Sequence, residues 1–233
     1  MEVIPFEAYL LPALLAPIFL AWGANRFVDG ASAFSFNLGM SPLLVGVLVM
    51  GFGTSLPELL VSLFSSVMGN TGLSLGNAYG SNIINIGVVL GLAAILSPVI
   101  VHNHVVKREL PLLILATAVT AFFVKDLQLS RGNGAMLLVL FVVLAVYLAR
   151  VSVQQPGAKV DASQQANREI RAIPLGKSIS YLVVGLTVIA LCSAVLVWSA
   201  RGIVTNLGVS ETVVGVVLLA IGTSLPELVV IVI

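Results

Sequence analysis

Charge is scarce in this chain. Charged residues make up 9% of its 233 positions, against roughly a quarter in a soluble domain. A soluble fold could not cover its surface with so few, and 59% of the residues are hydrophobic. Lipid must therefore be the solvent for much of the chain. The net charge of +1 offers nothing to a nucleic acid. The single cysteine, Cys192, excludes an intramolecular disulfide and a cysteine metal cluster, and reads as a packed small hydrophobe. No Lys or Arg precedes the first apolar run, so the basic region of a cleavable signal peptide is missing and that run reads as a retained membrane helix. The two histidines, His102 and His104, share one loop and read as a solvated turn. No histidine is left as a base within a span, and no HExxH motif occurs, which argues against an intramembrane enzyme.

What is present is a series of apolar stretches, each near the 20 residues that cross a bilayer. Seven are expected, at about 8–28, 41–66, 73–98, 109–125, 134–150, 178–200 and 211–233. The long polar stretch 151–177 has too few apolar residues to pack and reads as a linker between two halves. With seven spans, eight basic residues fall on one side: Arg26, Lys107, Arg108, Arg150, Lys159, Arg168, Arg171 and Lys177. Lys125, Arg131 and Arg201 fall on the other. The richer side is expected to be cytoplasmic, with the N-terminus outside.

A repeat organises these spans. Residues 38–61 read LGMSPLLVGVLVMGFGTSLPELLV, and residues 207–230 read LGVSETVVGVVLLAIGTSLPELVV. Fourteen of the 24 positions are identical at a constant offset of 169. Greasy helices match by chance in hydrophobicity, but rarely in Gly, Thr, Ser, Pro and Glu at fixed spacing. Five spans separate the two starts, and an odd number inverts direction. Inverted repeats mark secondary transporters, with the substrate site near the midplane where the repeats meet.

Of ten acidic residues, only Glu58 and Glu227 stand well inside apolar runs, at the same place in each repeat. A carboxylate there costs at least about 2.5 kcal/mol on insertion scales. A structural, Arg-paired glutamate is the bland reading, but no basic residue is expected within a span to pair with them. Thr54 and Ser55 precede Glu58 by four and three residues, and Thr223 and Ser224 stand likewise before Glu227. Helical spacing would put each pair on its glutamate's face. Pro57 and Pro226 lack an N–H, so the carbonyls of Gly53 and Gly222 lose their helical partners. Carboxylates, hydroxyls and freed carbonyls are the oxygen ligands that hard cations take, and two carboxylates balance a divalent charge. Two matched copies argue against kinks made for packing alone. In the third span, Ser81 and Asn85 share a face and fit a site role, while Asn82 fits helix packing. The small residues Gly76 and Gly80 would let this span approach the second closely.

GTSLPE followed by GNAYGSNIINI resembles the first alpha repeat of the calcium/cation antiporter superfamily, the sodium/calcium exchangers, and AIGTSLPE resembles the start of the second. The bacterial calcium/sodium antiporter branch is the nearest look, helped by the short linker and the KRELPLLIL stretch. The resemblance covers essentially the whole chain. It implies an all-α polytopic membrane fold of inverted repeats, with residues 1–150 as the first repeat of five helices, 151–177 as a cytoplasmic linker and 178–233 as two helices of the second. It implies a cation site with Glu58 and Glu227 at its centre. Thr54 and Thr223 would supply backbone oxygens, Ser55 and Ser224 hydroxyls, Gly51 and Ala220 carbonyls for sodium, and Ser81 and Asn85 the helix-3 ligands. The implied partners are Ca²⁺, Na⁺ and the bilayer of a bacterial inner membrane, with no resident cofactor and no nucleic acid. The implied activity is calcium/sodium antiport by alternating access, with proton or potassium-dependent coupling as alternatives. A passive pore is a further reading, which the inverted repeats and broken helices disfavour. The family has ten helices, so a chain ending at Ile233 is expected to be truncated, without helices 8 to 10 and without the second copy of the GSNIINI element.

Overall fold

The computed structural model describes residues 5–40, 45, 51–101, 103, 105–126, 128–153, 170 and 172–232. The first part of the 41–66 span, both histidines and most of the 151–177 linker lie outside the described residues. Among those described there is helix and no strand. Helix α1 is Glu7–Asn37, α2 is Leu56–Val67, α3 is Thr71–Leu96, α4 is Leu110–Val124 and α5 is Arg131–Val153. Helix α6 is Leu175–Leu207, α7 is Glu211–Thr223 and α8 is Leu225–Val232. A single turn, Gly51–Gly53, precedes α2.

Four of these, α1, α3, α5 (over Arg131–Leu148) and α6, are long and apolar enough to cross a membrane. Their outward faces confirm the expected solvent: Leu14 is 68% exposed and Ile83 63%. Such side chains are stable there only against lipid. The protein is thus a multi-pass membrane protein.

The first and sixth spans run furthest past their expected bounds. The first span, read as 8–28, is the 31-residue α1, and the sixth, read as 178–200, is the 33-residue α6. Arg26 and Asp29 suggested an end to the first apolar run. Instead Arg26 lies within the helix, 3.9 Å from Asp29 one turn on and 4.9 Å from the Tyr181 ring of α6. Arg26 therefore has its own partners, and neither is a motif glutamate.

The chain divides into two compact units, residues 98–159 in one and the rest in the other. In the smaller unit, α4 and α5 pack on each other. In the larger, α1 and α6 lie against one another along their length. Small residues permit this. A Cβ built on Gly185 would come 2.4 Å from the Phe27 nitrogen, and one on Gly30 would come 2.4 Å from the Leu182 nitrogen. Without a hydrophobic drive between helices in lipid, such backbone approach is what holds them. Leu20 and Ala24 of α1, Val61 of α2, Leu73 of α3, Ile189 and Leu196 of α6 and Leu219 of α7 form the shared core.

Gly76 and Gly80 of α3 face a different neighbour from the expected one. They meet α7, not the second span. A Cβ on Gly76 would lie 2.5 Å from the Thr212 carbonyl oxygen, and one on Gly80 would lie 2.6 Å from the Ala220 methyl. Toward α2, helix α3 presents hydroxyls instead: Ser66 Oγ donates to Ser74 Oγ at 2.9 Å, and Ser74 Oγ to the Ser62 carbonyl at 3.0 Å. At the start of α3, Glu211 of α7 accepts the Gly72 N–H at 3.0 Å, a carboxylate at a helix N-terminus.

Candidate cation site

The repeated motif folds as a broken helix in both copies. In the first, Thr54 and Ser55 form a turn between Gly51–Gly53 and α2. In the second, Ser224 is the turn residue between α7 and α8. Pro57 and Pro226 stand in the opening turns of the helices that restart, where a missing N–H is no loss. The restart also puts a carboxylate in each opening turn, Glu58 in α2 and Glu227 in α8. A negative group is favoured at that end of a helix.

The break changes which groups meet. Helical spacing would have put Thr54 and Ser55 beside Glu58. In the fold Thr54 faces Glu227, while the hydroxyls of Thr223 and Ser224 stand beside Glu58. Thr54 of the first motif thus lies by the second motif's glutamate, and Thr223 and Ser224 of the second lie by the first's, because the chain turns off the helical path at the break and the two copies meet there. The two carboxylates are near enough to feel each other's charge.

Glu58 has both carboxylate oxygens buried with no hydrogen bond, and the same holds for Oε2 of Glu227, Oγ of Ser224 and Oδ1 of Asn85. Asn85 opens a π-helical turn, Asn85–Val89, against which α8 packs. Burying an unpaired oxygen costs about 1–3 kcal/mol, and more when it is charged. Several such oxygens lie on adjoining segments of both repeats, an acceptor-rich grouping of the kind that a hard cation needs.

Ser55, in the turn before α2, is exposed. Ser81 is buried, and its hydroxyl donates to the Asn77 carbonyl one turn back. Ala220 is fully buried. Its carbonyl accepts from the Ser224 N–H at 3.0 Å and lies 3.4 Å from the Thr223 hydroxyl. Gly51 opens the one-turn helix before the break, the place that Ala220 holds four residues before Ser224. Asn82 does not bridge helices: its amide donates to Ala78 O on its own turn at 3.0 Å, on an exposed face.

Asn77, to which spacing alone assigns no role, is 0% exposed at the centre of this arrangement. Its amide nitrogen donates to the Glu58 carbonyl at 3.1 Å and to Ser62 Oγ at 2.9 Å. Its amide oxygen accepts from the Thr223 hydroxyl at 3.2 Å. A signal was present: Asn77, Ser81 and Asn85 recur every four residues and mark one face of α3.

The family model described as sodium/calcium exchanger protein matches residues 9–150 and 177–233. The protein CaxA of Alkalimonas amylolytica is 39% identical over 218 residues, covering 92% of this chain and 67% of that one. The inner membrane protein YrbG of Escherichia coli (strain K12) is 36% identical over 215 residues, covering 91% and 66%. Among solved structures, the sodium-calcium exchanger NCX_Mj soaked with 10 mM Na⁺ and 10 mM Sr²⁺ superimposes with a TM-score of 0.57 at 35% identity, covering 99% of this chain and 72% of that one. The chain thus spans about two thirds of the length of the curated relatives it matches.

Proposed function

This chain belongs to the sodium/calcium exchanger protein family, and on that premise we propose that Glu58 and Glu227 hold a calcium ion that the protein exchanges for sodium by alternating access. One observation carries the reading: buried, unpaired oxygens of Glu58, Ser224, Glu227 and Asn85 gather where the inverted motifs meet. Thr54, Ser55, Thr223 and Ser81 complete the oxygen set, and Gly51 and Ala220 supply carbonyls to sodium. Two carboxylates balance one Ca²⁺, and sodium ions compete for the same charges. With the site empty, two carboxyls face each other in a low-dielectric interior, where like charges repel. A bound cation cancels that repulsion and lowers the cost of switching. The closely packed pair α1 and α6 is the element that slides across the site, opening it to either side. The relative named an inner membrane protein supports the same membrane for this chain, with the N-terminus outside and the 151–177 linker cytoplasmic.

The test is ⁴⁵Ca²⁺ uptake by the protein in sodium-loaded liposomes, with Glu58→Gln and Glu227→Gln each compared with the parent. Uptake that needs the outward sodium gradient and is lost in both variants is the expected result. Undiminished uptake in either variant removes that glutamate from the site. Uptake driven by a proton gradient without sodium would replace the coupling ion.

A further inference from the structure

We propose that Asn77 is a positioning residue for the cation site: it touches no ion, but sets the distance between the two repeats' ligands by holding one residue from each. This rests on the cation reading of the same site. The amide has both hydrogens engaged toward the first repeat's motif helix, on Glu58 O at 3.1 Å and on Ser62 Oγ at 2.9 Å. Its oxygen takes the Thr223 hydroxyl of the second repeat at 3.2 Å. Its own backbone carbonyl takes the Ser81 hydroxyl. Three candidate ligand residues, Glu58, Thr223 and Ser81, are thus keyed to one side chain and its peptide on α3.

The amide orientation follows from chemistry. Glu58 O is a carbonyl and can only accept, so the NH₂ must face it, and the amide oxygen is left for Thr223. Reversing the amide would set its oxygen against the Glu58 carbonyl, acceptor facing acceptor. A hydroxyl has one proton. While Thr223 gives it to Asn77, the lone pairs of its oxygen remain for the Glu58 side of the cluster, where a cation is to bind. Asn77 is completely buried, so no water can replace any of these bonds. Losing them frees Glu58 and Thr223 to relax independently. Groups of this kind, one bond removed from a metal's ligands, typically alter affinity about 10–100-fold.

The experiment is Ca²⁺-dependent uptake by the reconstituted protein, parent against Asn77→Leu, a substitution of similar size without hydrogen bonds. The apparent KM for Ca²⁺ is expected to rise about 10–100-fold, with a much smaller change in maximal flux per folded molecule. A merely structural asparagine would lower folded yield and melting temperature but leave KM where it was, and that result overturns the proposal. Thr223→Val breaks the same bridge from its other end; because Thr223 is itself a candidate ligand, a raised KM there counts only through the double variant, whereas an unchanged KM overturns the proposal even if Asn77→Leu is not recovered folded. In the double variant the loss should not exceed that of the larger single variant, whereas independent, multiplying losses count against a shared bridge. The two readings fail differently. A parent without Ca²⁺-dependent uptake removes the cation reading and this one with it. A parent that saturates normally beside unaffected variants removes only the positioning role.

Discussion

Gly76 of α3 and Gly215 of α7 lie backbone to backbone: a Cβ built on either would come 2.9 Å from the Cα of the other. This contact joins the first repeat to the second. Its neighbours continue the fit, with Gly80 against Val216 and Ala220, and Gly72 against Glu211. The third helix of one repeat and the motif helix of the other therefore approach as closely as two backbones can, and the site residues Asn77 and Thr223 come within hydrogen-bonding reach as a consequence.

Gly76→Leu and Gly215→Leu are each expected to push the helices apart and destabilise the protein by about 1–3 kcal/mol or more, the usual cost of overpacking. Thermal unfolding in detergent measures this. Gly87, where a Cβ would meet nothing within 4 Å, is the control and should tolerate alanine. A Gly76→Leu protein as stable as the parent would show that the helices are not held by this contact.

Glu58→Gln is expected to stabilise the cation-free protein. It replaces a buried carboxyl that has a second carboxyl beside it and no hydrogen bond to either of its own oxygens. Calcium should reverse the order. A ligand at a hundred times its Kd adds about 2.7 kcal/mol to a protein that binds it, and nothing to one that does not. Unfolding curves with chelator and with excess Ca²⁺ compare the two. A variant that melts below the parent in chelator and gains as much from calcium contradicts the pairing of the two glutamates.

Gly39 and Gly208, 169 positions apart, end α1 and α6 with φ of +79° and +65°. A Cβ on either would meet nothing within 4 Å. Only the left-handed backbone requires glycine there. Gly39→Ala and Gly208→Ala are each expected to cost about 1–2 kcal/mol, read as a lower melting temperature with unchanged cation response in the folded fraction. A cost confined to one of them would mean that the repeat's symmetry does not extend to the ends of these helices.

Much of this was legible in the chain. The excess of apolar residues over charged ones determined the solvent. The repeat determined the pairing of Glu58 with Glu227, of Pro57 with Pro226 and of Gly39 with Gly208, because identical local sequences break and end helices by the same local rules. The two GTSLPE copies carry their own break: a proline that cannot donate, glycines before it and a glutamate in the restarting turn.

Other features needed the tertiary structure, because they depend on residues far apart in sequence. Small residues on a helix show that something can come close, but any flat partner satisfies them. Gly76 and Gly80 were thus as compatible with the second span as with α7, where they sit. Helical spacing put Thr54 beside Glu58, yet once the backbone leaves the helical path that spacing no longer applies, and the inverted copies exchange partners. Arg26 and Asp29 looked like the end of a span until α1 and α6 were seen to lie side by side, where Tyr181 and the i,i+3 pair let charge stay within a long helix. Asn77 was one polar residue among several on α3. Its three partners come from both repeats, and only the packing of both against the same helix brings them to one amide.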